Sequence, residues 1–103
     1  MSLELVEPGH FKLSGIINFE TAPVIELQGR KLLESTSEDR WEISLRGVSQ
    51  ADSSALSVCL SWVRLAREHN KSICFSSMPV KLKALAQVCG IQGLINSVSC
   101  LAE

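Results

Sequence analysis

The sequence predicts an α/β domain built on a sheet that is at least partly parallel. The main observation is order: after two opening strands, segments with helical spacing of apolar residues alternate with short strand-like runs, which implies crossover connections. A second is composition, with 46% hydrophobic and 20% charged residues, enough apolar material for a core and too little charge for a disordered chain. The third is length, because 103 residues leave room for one core and predict a single domain over 1–103.

The elements follow in order. Leu3 to Val6 and Phe11 to Leu13 flank Glu7-Pro8-Gly9-His10, a Pro- and Gly-marked turn, so they read as an antiparallel hairpin. After Ser14-Gly15 the chain runs through Ile16 to Glu20. Thr21 and Pro23 then start a first helix, since Pro is tolerated where the N–H has no intrahelical partner. That helix is expected to reach Glu34, with Val24, Leu27 and Leu32 as its apolar positions and Ile25 and Leu33 beside them. Ser35 to Asp39 make a polar loop. Trp41, Ile43 and Leu45 alternate with Glu42, Ser44 and Arg46, the clearest strand in the chain, continuing into Val48. A second helix extends from the Asp52 region to about His69, capped by Asp52 or one of the next two serines. Ser72 to Ser76 suit a buried strand. Pro79 opens a third helix with Leu82, Leu85, Ala86 and Cys89 on one face and Gly90 as its stop. Residues 91–103 show no decisive period, and their type stays open.

Charge and cysteine content exclude several function classes. Ten basic against eleven acidic residues give a net charge of −1 with no basic stripe, so neither nucleic acid nor an anionic membrane surface is an expected partner. No run approaches the ~18 apolar residues of a membrane span, and Met1 to His10 lack a signal-peptide pattern, so the expected location is the cytoplasm with no direct membrane insertion. Cys59, Cys74, Cys89 and Cys100 are widely spaced, without a C-x-x-C pair or a His at ligand spacing; buried reduced thiols and no metal site are expected. No cofactor motif is present, and the phosphate-cradling G-x-x-x-x-G-K-S/T loop is missing.

Two features concentrate the functional argument. The segment Val48 to Leu56 passes from the clearest strand through a polar turn into the second helix, the position where α/β sheets place their sites. Asp52, Ser53 and Ser54 there are common helix caps, and a phosphoryl group on either serine would also suit a helix N-terminus. The second helix is apolar over too much of its circumference. Leu56, Cys59, Leu60, Val63 and Ala66 form one stripe, and Val58, Trp62 and Leu65 extend it toward Ser54. Either part of this helix lies under a neighbouring helix, or it faces a partner with Trp62 as anchor.

The loop Asp52-Ser53-Ser54-Ala55-Leu56 entering an apolar helix resembles the signature of STAS domains. The opening Leu13-Ser14-Gly15 followed by Asn18-Phe19-Glu20-Thr21-Ala22-Pro23 is similar to that family, as is Leu82-Lys83-Ala84-Leu85-Ala86 with the later Gly90. The resemblance implies a small mixed β-sheet of about four strands packed with about four α-helices. It also implies function through binding. The favoured branch is the STAS subunit of Mla-type phospholipid transport, which supports maintenance of outer-membrane lipid asymmetry. There the domain binds the ABC transporter ATPase, with the permease in the same complex, and lies peripherally at the inner membrane. The docking surface is then expected to comprise Asp52, Ser53, Ser54, Ala55, Val58, Trp62 and Leu65. The alternative branch is the anti-sigma-factor antagonists, in which a partner anti-sigma factor with serine kinase activity would phosphorylate Ser54. Ala55 stands where those antagonists often carry glycine, which makes the loop less permissive.

Catalysis is not expected. His10 reads as a solvated turn residue, His69 as a helix-end cation, and Glu34, Glu38 and Asp39 as a wetted loop rather than an acid pair.

Overall fold

The structure is a computed structural model and describes residues 2–100. Eight elements follow one another: β1 (Ser2–Glu7), β2 (His10–Ile17), α1 (Ala22–Glu34), β3 (Arg40–Ala51), α2 (Ser54–Glu68), β4 (Ser72–Ser76), α3 (Val80–Val88) and α4 (Gln92–Ser97). The strands form one mixed sheet in the order β1-β2-β3-β4. β1 is antiparallel to β2, and β2, β3 and β4 run parallel, because α1 and α2 carry the chain back between them.

Alternation along β3 sets the layering. Trp41, Ile43 and Leu45 are buried beneath the helices with Leu3, Phe11, Leu13 and Phe75, while Glu42, Ser44 and Arg46 point to the opposite, open face. β2 does not stop at Leu13. It continues to Ile17 through a register shift at Gly15, whose φ of 100° is a conformation glycine adopts without a Cβ penalty. Gly90 ends α3 as the sequence predicts. With φ of 75° it lets its own N–H donate to Gln87 O (3.1 Å) and that of Ile91 to Ala86 O (2.9 Å).

Three expectations are corrected. Val24 and Leu27 lie on the solvent side of α1; its core face is Ala22, Ile25, Gly29 and Leu33. His10 is not merely a solvated turn residue, since it begins β2 and its Nδ1 lies 2.9 Å from Glu42 Oε2. The thiols are not all buried and reduced: Cys74 is joined to Cys100, Cys89 is exposed, and only Cys59 is a buried free thiol. The segment whose type stayed open contains α4 and then a bridge from Ser99 to Phe75; residues 101–103 lie outside the described residues.

Candidate functional site

β2 and β3 are parallel neighbours, so their carboxyl ends deliver two helix starts side by side. The first is a self-bonded turn at 18–21. Asn18 Oδ1 accepts from the N–H groups of Glu20 (2.9 Å) and Thr21 (3.1 Å), and Thr21 Oγ1 accepts from Asn18 N–H (2.9 Å) while donating to Ile16 O (2.8 Å). This reciprocal exchange satisfies the backbone N–H groups of Asn18, Glu20 and Thr21 in the turn that leads into α1. With the turn fixed from both ends, Phe19 is held outward at 78% exposure.

The second start is the Asp52 loop. Asp52 N–H donates to Ile17 O (3.1 Å), tying the two strand ends together. Asp52 Oδ1 accepts from Ser54 N–H (2.8 Å) and from the Ser54 hydroxyl, so Asp52, one residue ahead of the N-cap Ser53, satisfies the first N–H of α2. These bonds from Ser54 are the main reason its carboxyl is held below the usual range, with the nearby Lys81 cation and the Phe19 backbone adding to the effect. Ser53 and, one turn on, Ser57 are exposed, whereas Ser54 is half-buried with its hydroxyl committed to Asp52.

Between the two helix starts lies a shallow groove of about 380 Å³, bounded by Phe19, Pro23 and Glu26 on one side and Ser53, Ser54 and Ser57 on the other. It is continuous through Pro23 with an apolar strip on the outer side of α1, where Val24 is 70% and Leu27 51% exposed and Lys31 closes the end. An exposed aromatic flanked by aliphatic side chains and a hydroxyl-rich rim is suited to protein docking.

The structure therefore brings together only part of the sequence-predicted site. Ser53 and Ser54 lie on the groove, whereas Asp52 faces a neighbouring pocket that it lines with Asn18 and Lys81. Ala55, Val58, Trp62 and Leu65 are buried in the core, with Val58 reaching only the groove floor. Trp62, expected as a candidate anchor, is 0% exposed: its ring fills the space left by Gly29, where an added Cβ would stand 2.3 Å from Cζ2, and its Nε1 donates to Glu26 O (3.3 Å). The broad stripe on α2 is accounted for by packing under α1 and α3. Sequence reasoning missed Phe19, Val24 and Leu27. The available signal was an excess of apolar residues on α1 together with a glycine on one of its faces, which marks the side where another helix approaches.

The fold and this end-of-sheet loop define a small mixed α/β domain. The sequence matches the family described as "Mlab, STAS domain" across residues 4–96, and the chain belongs to that STAS family. No match to a curated protein is found. Among the described residues, no helix is long and apolar enough to cross a membrane.

Proposed function

We propose that the protein is a non-catalytic STAS subunit that binds and supports the ATPase of an Mla-type ABC phospholipid transporter, in the cytoplasm and at the inner membrane through that complex. The reading is supported first by the family, whose description carries the Mla designation. The observation that carries the docking step is the exposed strip of Phe19, Val24 and Leu27 running into the Asp52–Ser54 loop. ATP would be hydrolysed by the partner, and the domain would act by stabilising one arrangement of it. Its contribution to lipid asymmetry would follow from that support. In this reading Phe19 is the anchor, because large aromatic side chains dominate interface energetics, and Ser53 and Ser57 form the polar rim.

The competing reading, an antagonist phosphorylated on Ser54, meets a local obstacle: the Ser54 hydroxyl is engaged by Asp52, and a phosphoryl group there would stand against that carboxylate. The test is affinity capture of the tagged protein from its native cells at moderate salt, with mass spectrometry of what copurifies. An ABC ATPase accompanied by its permease is the expected result. A serine kinase of the anti-sigma type, with neither transport protein present, would overturn the proposal.

A further inference from the structure

A second cluster lies on the open face of the sheet, built from residues that are distant in sequence. A carboxylate oxygen of Glu42 and the sulfurs of Cys74 and Cys100 lie within 4.8 Å of one another, and the two cysteines form a disulfide across a sequence separation of 26. Arg40 Nη2 donates to Cys74 Sγ (3.5 Å) and stands 3.6 Å from Glu42 Oε1, while His10 holds the other oxygen of that carboxylate. The chain around Cys100 lies along the edge of β4. Phe75 N–H donates to Val98 O (2.7 Å), and Cys100 N–H donates to Phe75 O (3.0 Å). Besides these two backbone bonds the segment is held by the buried Val98 side chain, and it must open locally before the buried Cys74 and Cys100 sulfurs meet a soluble thiol or disulfide.

We propose that Cys74 and Cys100 form a reversible thiol–disulfide latch that fastens residues 98–100 to the edge of β4, with low-molecular-weight disulfides and thiols, such as the glutathione couple, as its chemical partners. In the closing direction the Cys74 thiolate, which faces both the Arg40 guanidinium and the Glu42 carboxylate, attacks one sulfur of the glutathione disulfide. That step forms a mixed disulfide and expels one glutathione thiolate. The Cys100 thiolate then attacks the Cys74 sulfur and expels the second. Two electrons pass from the cysteines to glutathione, and the two cysteine protons end on the two glutathione thiols. Opening is the reverse. Of the remaining cysteines, Cys59 is held out of this chemistry by burial, which pushes its thiol up to about 12, whereas Cys89 is exposed at the end of α3 and open to the same reagents. The closed latch encloses α3 and α4 within the linked segment 74–100, so it limits how far that segment can move when the backbone bonds at the edge open.

The test uses the full chain in glutathione buffers of defined ratio. Acid quenching, alkylation and peptide mass spectrometry read the thiols, and amide hydrogen exchange reads the edge. A peptide linking Cys74 to Cys100 is expected in the oxidising buffer and two additional alkylated thiols in the reducing one. The amides of Phe75 and Cys100 are expected to exchange roughly tenfold faster, or more, once reduced. Cys100→Ser, and independently Cys74→Ser, should exchange at the fast rate in both buffers. Glutathionylated Cys89 or intermolecular dimers as the only oxidised products would overturn the latch, as would equal exchange rates for the wild-type protein in the two buffers.

Discussion

The seam between α1 and α2 and the exposed end of the same two helices draw on similar residues and do opposite work. At the seam, Gly29 has no side chain, the Trp62 ring occupies that space, and Ile25 and Leu33 extend the contact above and below it. At the end, Phe19 beside Ser53 and Ser54, and Val24 and Leu27 along the outer side of α1, are as apolar as their buried neighbours but face solvent. Hydrophobicity therefore does not separate scaffold from surface in this chain. Position does, because the helix wheel turns by about 100° per residue, and one step takes α1 from Val24, outside, to Ile25, inside.

The largest effect belongs to the seam. Trp62→Ala should cost about 3–5 kcal/mol by urea denaturation, since it leaves a large cavity and removes the donor to Glu26 O. Any loss of partner binding should then track unfolding. Gly29→Ala sharpens the same point. Its methyl group would meet the Trp62 ring, and net destabilisation of about 1–3 kcal/mol is expected even though alanine favours the helix. A neutral or stabilising result would show that the two helices shift apart easily. At the exposed end the pattern should invert. Phe19→Ala should leave stability within about 0.5 kcal/mol while weakening capture of the ATPase by about tenfold or more. Ser53→Glu should likewise reduce capture with the fold retained, read by circular dichroism alongside the pull-down.

The smallest effect is electrostatic. The Asp52 carboxyl titrates below its ordinary value in the folded protein, so the stability it contributes is present above the unfolded value, about 3.9, and lost as the pH falls through the lower folded one. Denaturation midpoints compared between about pH 6 and pH 3 should therefore fall slightly more for the wild-type protein than for Asp52→Asn, whose uncharged side chain removes that titration. Equal pH dependence would mean that the bonds from Ser54 to Asp52 do not depend on charge.

Much of the architecture is legible in the order and spacing of the residues. The Trp41-Ile43-Leu45 alternation places β3, Gly90 places the end of α3, and Asp52-Ser53-Ser54 marks the loop where two strand ends meet. The orientation of α1 is less legible, because Val24 and Leu27 match Ile25 and Leu33 in type, and only the bare face at Gly29 distinguishes the packed side. Trp62 is misleading for a related reason: a tryptophan on an overfull apolar helix suits an anchor and a core residue equally, and its burial depends on a glycine 33 positions earlier. The Cys74–Cys100 pair has no local signature, since it forms only when the tail folds back along β4. α4 has six residues, too few to show a period.

The central claim is that the end of the helix pair, rather than the seam or the open sheet face, meets the partner. Amide hydrogen exchange on the protein, free and in its copurified complex with the ATPase, tests this most directly. Protection on binding is predicted across residues 18–28 and 52–57, with little change on the open face around Lys12, Ser44 and Arg46. Protection centred on that open face, with residues 18–28 exchanging as in the free protein, would contradict the account.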